Sequence, residues 1–332
     1  MKKNILIISL SLVALLVVYS AVELMIPLPF GNQAIEFEIP RGATYRQVVD
    51  ALAAKGMVRD KWVFHLLGRV TGVDRKIKAG YYPLWGTMSP LQIFNAIRAG
   101  KIIEYEITIV PGDSLREITG KFAAVPLFDA AEFQELCADK GFLDSLDVDA
   151  PTLEGYLFPD TYRFPKGLGM KEVLIMMVNR LRESYDEDMM ARMLDRDISE
   201  KEMLTMASIV EKEAVADSER PIIAAVYFNR LGKNMLLQAD PTAVYGIKAS
   251  DEKITRKDLL RKTPYNTYVT MGLPPGPIAS PGLKSIEAVL NPAKVPYLFF
   301  VSNNDGTHNF SVTLGEHAEA VRAYREKKRV GG

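Results

Sequence analysis

The chain has 332 residues, 48% of them hydrophobic and 25% charged. That length suits two domains, and the composition excludes a disordered chain, a collagen-like fibre and a disulfide scaffold. Lys+Arg and Asp+Glu number 41 each, so the formal net charge is zero and the basic excess of a nucleic-acid binder is missing. Cys137 is the single cysteine, and His65, His308 and His317 are widely spaced, so neither a disulfide nor a metal motif is expected. No cofactor is expected either.

Lys2 and Lys3 precede an apolar run from Ile5 to Val22. As a helix this run spans roughly 27 Å, enough for a bilayer core. A cleavable signal peptide would have a shorter run and small residues at the cut. Here Val18-Tyr19-Ser20 is a poor cut site, and no lipoprotein-type cysteine follows. Residues 1–26 are therefore read as a cytoplasmic stub and an uncleaved, single-pass anchor. The two lysines keep the N-terminus in the cytoplasm and place the rest outside it. Residues 27–34 read as a linker, on Pro27, Pro29 and Gly31.

Ile35-Glu36-Phe37-Glu38-Ile39 alternates as a half-buried strand does. A helix over 45–55 follows, opened by a Thr44/Gln47 capping box and closed at Gly56. The same grammar returns at 105–110, with Ser114 and Glu117 as the box, and more weakly at Ser89-Pro90. These copies are too irregular for a solenoid. They suggest a small α+β module over residues 35–101 of a kind that binds polymers, followed by a second domain over 102–332. In that domain, helices are expected over 128–141, 169–195, 199–216 and 221–231. An irregular loop rich in Pro and Gly is expected over 263–283, a strand over 295–301, and a terminal helix from Gly315 ending in the basic run at Arg325.

No G-x-S-x-G, Walker, G-x-G-x-x-G or H-E-x-x-H motif is present, so the commonest hydrolase, nucleotide and zinc chemistries drop out. Cys137 sits in a helical pattern as a core residue. Carboxylates remain. On the helix over 199–216, Met203, Ala207, Val210 and Ala214 share one stripe, with Leu204 and Met206 on its edges. Glu211 falls beside Leu204 and Ala207, and Glu213 beside Met206 and Ile209. A carboxyl against apolar surface holds its proton more tightly, as a general acid must. The alternative is a pair of rim glutamates in salt bridges, Glu213 with Arg220 for instance. The helical wheel does not choose between Glu211 and Glu213.

A second cluster lies on loops: Leu237–Gly246 with Gln238 and Asp240, then Tyr265-Asn266-Thr267-Tyr268, then Gly272–Ile278. Rigid loops carrying amides, hydroxyls and flat rings suit a carbohydrate groove. Pro-Gly turns also need such residues for their own geometry. The segment Leu153–Tyr162, with Glu154, mixes acids and aromatics in the same way.

The ordered set E-G-Y-L-F-P-D-T-Y (154–162), A-S-I-V-E-K-E (207–213), F-N-R-L (228–231), L-Q-A-D-P-T (237–242), Y-N-T-Y (265–268), G-L-P-P-G-P-I (272–278) and N-P-A-K (291–294) resembles the endolytic murein transglycosylases. The resemblance includes the N-terminal anchor and covers nearly the whole chain. It implies an α+β fold with a transmembrane helix, a LysM-like module and a mixed α+β catalytic domain. It implies a lytic transglycosylase that cleaves nascent peptidoglycan strands internally and terminates their growth. It places the acid/base at Glu213, with Glu211 as the alternative. Glu154, Gln238, Asp240, Tyr265, Asn266, Thr267 and Tyr268 would bind the substrate. Ala214 stands where a hydroxyl residue is expected. The implied partners are glycan strands, the penicillin-binding synthases and the elongation or division proteins, at the inner (cytoplasmic) membrane and without nucleic acid. A hydrolytic muramidase using Asp240 or Glu154 as second carboxylate, and a non-catalytic wall-binding scaffold, are the competing readings.

Overall fold

The computed structural model describes residues 2–28, 34–126, 128–248 and 252–330. Most of the expected linker, residues 29–33, lies outside the described residues, as do the side chains of the basic run at 327–329. The chain forms two units: Met1–Tyr105 with Arg163–Leu168, and Glu106–Tyr162 with Gly169–Gly332. It passes between them within the strands Glu104–Thr108 and Thr161–Pro165, which are hydrogen-bonded to each other.

The first unit begins with the helix Lys2–Met25, long and apolar enough to cross a bilayer. Strand Ala34–Ile39 then pairs antiparallel with Gly80–Trp85. Alternation along the first strand sends Phe37 and Ile39 inward, where Tyr82 and Leu84 of its partner join them. Three helices, Tyr45–Ala54, Lys61–Thr71 and Pro90–Arg98, bring Val48, Val49, Leu52, Phe64, Phe94 and Ile97 to the same core. The capping boxes at Thr44 and Ser89 form, and each start is stabilised by about 1 kcal/mol. The helix Lys61–Thr71 and the strand Gly80–Trp85 were not expected; Asp60 and Gly72 are the cap signals that mark the helix.

The second unit is built around the helix Glu200–Glu213. Met203, Leu204, Met206, Ala207, Ile209 and Val210 are all fully buried, and so are Thr205 and Ser208. The single apolar stripe read from the sequence is therefore too narrow: this helix is enclosed on every side. It packs against Arg220–Gly232, Asp240–Val244 and Leu283–Leu290. Its hydroxyls are tolerated because each finds a partner. Thr205 donates to the Lys201 carbonyl (2.6 Å), and Ser208 donates to Thr205 O (2.7 Å) and accepts from the Ile278 N–H (3.0 Å).

The single helix expected over 128–141 divides in two, as Ala130–Ala138 and Lys140–Ser145, while the one or two expected over 169–195 are two, Met170–Glu183 and Glu187–Asp195. Asp139 and Asp186 cap the second member of each pair through their side chains. Cys137 is buried. Between Leu260 and Gly282 the described backbone is irregular, as expected. The late strand is shorter than expected, Phe299–Ser302, and pairs antiparallel with His308–Ser311. The helix Leu314–Val330 closes the unit.

Candidate active site

Glu213 is the last residue of the central helix, and Ala214 leaves it in an extended conformation. The negative end of a helix dipole already disfavours a carboxylate there. Burial is the largest influence and Asp240 adds Coulomb repulsion, so the Glu213 carboxyl is pushed up to about 7. Two contacts oppose this: the Tyr227 hydroxyl donates to Glu213 Oε1 (3.1 Å), and the Asp240 backbone N–H also donates to the carboxyl. The result is a carboxyl that exchanges its proton near neutral pH while held from two sides.

Glu211, two residues earlier, has a different environment. It forms a buried ion pair with Arg220 (3.1 Å) and accepts from the Gly282 N–H (2.9 Å) and the Ser285 hydroxyl (2.8 Å). Arg220 was expected beside Glu213, but it pairs with Glu211. Two residues on an α-helix point about 200° apart, so the two carboxyls serve opposite faces.

Two clefts meet at Glu213 and Asp240. One, of about 510 Å³, is lined by Leu115, Glu154, Lys212, Tyr245 and Ile278 among others. The other, of about 320 Å³, is lined by Tyr227, Arg230, Gln238, Tyr268, Phe300 and His308 among others. A larger cavity of about 580 Å³ lies on the Glu211 side and does not include Glu213.

Asp240 opens the short helix Asp240–Val244, and Tyr268 donates to its Oδ1 (2.5 Å). Gln238 is exposed in a left-handed conformation (φ +48°), its N–H bonded to Thr267 O (3.1 Å). Tyr265 stacks at a tilt on Tyr245, 4.6 Å between centroids. Glu154 is only 3% exposed; it accepts from the Leu115 N–H (2.9 Å) at the start of a helix and from the Tyr245 hydroxyl (2.9 Å). Burial outweighs these bonds and holds its carboxyl up, at about 7. Gly155 follows with φ +79°, and a side chain there would meet Pro277 at 2.3 Å. Glycine is therefore what lets Glu154 turn into the site.

Asn266 and Thr267 depart from their expected place in the groove. Asn266 is 0% exposed, and its amide donates to the carbonyls of Leu259 (3.1 Å) and Arg261 (2.7 Å). Thr267 is buried against Thr242 (2.8 Å) and accepts from the Ala239 N–H (3.0 Å). Both hold the loops that carry Gln238, Asp240 and Tyr268, because a buried irregular backbone needs internal partners.

No site role is expected from the sequence for Tyr227, Arg230 or His308, and Tyr245 enters only as one residue of the loop Leu237–Gly246. Arg230 donates to the carbonyls of Leu237 (2.7 Å) and Leu298 (2.6 Å), tying two walls of the smaller cleft together. His308 is oriented by Glu219, Nδ1 to Oε2 at 2.7 Å. Tyr227 and Arg230 stand within and beside F-N-R-L, one helical turn apart, and that spacing was the available signal.

Residues 37–323 match the model of the YceG-like family. The chain is 31% identical over 313 residues to an endolytic murein transglycosylase of Bacillus subtilis, covering 90% of this chain and 87% of the relative. It is 27% identical over 326 residues to an endolytic murein transglycosylase of Streptococcus pneumoniae, of which it spans 58%. A crystal structure of a yceG-like protein from Listeria monocytogenes is similar with a TM-score of 0.61 at 32% identity, over 87% of this chain and 99% of that one. The chain therefore belongs to the YceG-like family, an enzyme family of lytic transglycosylases.

Proposed function

We propose that this protein cleaves peptidoglycan glycan strands within the chain, at the bond from N-acetylmuramic acid to N-acetylglucosamine, and so terminates growing strands. The observation that carries this is the position of Glu213. It is a carboxyl poised near neutrality where two clefts meet, so sugars bound on both sides would place a glycosidic bond over it. An enzyme that cuts within a strand needs such a two-sided groove.

Glu213 first protonates the glycosidic oxygen, and the C1–O bond breaks. Its carboxylate then takes the proton of the muramic C6 hydroxyl as that oxygen bonds to C1, closing a 1,6-anhydro ring. The proton is returned, no water is consumed, and one carboxyl suffices where ordinary glycosidases use two. Tyr227 and the Asp240 N–H hold the carboxylate formed between the steps. Gln238, Asp240 and Tyr268 position sugars in the smaller cleft, and Glu154 with Tyr245 and Tyr265 in and around the larger one. Asn266 and Thr267 contribute by fixing these loops.

Residues 35–101 act as a LysM-like module that holds glycan, and 102–332 as the catalytic domain. The helix Lys2–Met25 anchors the chain in the cytoplasmic membrane, with Lys2 and Lys3 inside and the catalytic domain outside, beside the synthases and the elongation or division proteins.

Mass spectrometry of purified glycan strands digested by the full chain tests the chemistry. Anhydro-muramic ends, absent with Glu213→Gln, are expected. Free reducing ends would replace this reading with a muramidase, for which Asp240 beside Glu213 would supply the second carboxylate. No cleavage by the wild type would leave the scaffold reading.

A further inference from the structure

We infer that the helix Lys61–Thr71 lies on the membrane surface, with Trp62, Leu66 and Val70 dipping into the lipid interface. The inference rests on the reading of Lys2–Met25 as a membrane anchor. Between residues 34 and 105 the large apolar side chains left exposed are Trp62 (54%), Leu66 (40%), Val70 (76%) and Trp85. The first three recur every four residues on one helix, so they fan over about 80° and form a single stripe. They are not an unfinished core. The opposite face of this helix is already buried through Phe64 and Gly68, and Gly68 lies so close to Tyr45 that any side chain there would clash.

The anchor fixes the height of this stripe. Tyr19 lies within the apolar run, one helical turn from its end, and its hydroxyl donates to Asp60 Oδ2 (2.7 Å). Asp60 is also the cap of Lys61–Thr71, accepting from the Trp62 N–H (2.7 Å). Arg59 faces Glu23 at 3.7 Å, and Leu24 packs against the core of the unit. The end of the apolar run and the start of the surface helix are thus joined by consecutive contacts. If residues 5–22 fill the hydrocarbon, Asp60 and Trp62 sit at the headgroup boundary. Tryptophan and tyrosine favour that level, because the ring is apolar and its polar atom stays wet. Arg69 is exposed beside Trp62 at the edge of the stripe, and a cation there suits anionic headgroups. A protein partner would also cover apolar side chains, but the link to the anchor commits this face to lipid.

The chain has only two tryptophans, Trp62 and Trp85, which makes the test direct. The full chain is reconstituted into vesicles of phosphatidylcholine and phosphatidylglycerol, with and without brominated acyl chains. Trp85→Phe isolates the emission of Trp62. The triple variant Trp62→Phe, Trp85→Phe, Val70→Trp reports the far end of the helix. Both probes are expected to lose most of their emission with brominated lipid and to shift to the blue relative to detergent-free unfolded chain. Flotation with the vesicles but an unquenched probe at either position would overturn the surface helix while leaving the anchor intact. Failure to float would overturn the anchor and this inference together.

Discussion

The Tyr227 hydroxyl donates to Glu213 Oε1 at 3.1 Å, joining the middle of one helix to the last residue of another. Burial and the nearby Glu213 keep that phenol well above its ordinary value, so it stays a donor throughout the reaction. The bond favours the charged form of Glu213. Tyr227→Phe should leave the packing intact and move the Glu213 limb of the pH–rate profile to higher pH, by about one unit. The rate at the optimum should fall roughly tenfold or less. A profile that does not move would separate Tyr227 from the acid/base step.

Asp240 acts in the opposite sense. Its charge raises the Glu213 carboxyl while its backbone N–H lowers it. Asp240→Asn keeps the N–H and an acceptor for Tyr268 but removes the charge. The same limb should move to lower pH, with a loss of rate at neutral pH because less Glu213 is protonated. Opposite displacements in the two variants, read from pH–rate profiles on one substrate, would identify Glu213 as the titrating group.

The same burial makes Glu213 and Glu154 costly to the fold. Both carboxyls are raised to about 7 in the native state, above the ordinary carboxylate range of the unfolded chain. Their stabilising contribution is full below the unfolded value and is lost as pH rises to about 7. Thermal denaturation of Glu213→Gln should therefore show little change at pH 4.5. At pH 8 it should show a gain on the order of 1–3 kcal/mol, since the glutamine never ionises. A variant less stable than wild type at pH 8 would contradict this.

Glu211 should behave as a structural residue. Glu211→Ala leaves Arg220 buried without its main partner, and a loss of about 3 kcal/mol is expected in chemical denaturation. Glu211→Gln should retain the wild-type pH profile of whatever activity remains. A profile that flattens in Glu211→Gln and persists in Glu213→Gln would exchange the two roles.

The sequence made the local elements legible wherever one residue carries the signal. Thr44 and Ser114 each form the capping box their spacing predicts, and Ser89 caps the helix it precedes, because a cap depends on atoms three residues apart. It did not show Asn266 and Thr267 turning inward, since nothing in Y-N-T-Y says which polar groups meet water and which hold a loop. Nor did it show Arg163–Leu168 returning to the first unit, which is a matter of long-range pairing.

Glu211 and Glu213 mark the limit most clearly. The helix and the apolar residues around both glutamates follow from its 3.6-residue period, so the sequence alone narrowed the acid to two positions. It could not choose, because both carboxyls border apolar residues on their own helix. Elements far along the chain separate them. Arg220, Gly282 and Ser285 neutralise Glu211 on one face, while Tyr227 and Asp240 meet Glu213 where two clefts join. A carboxyl's proton affinity depends on the charges and dipoles within a few ångströms, and only tertiary packing decides which those are.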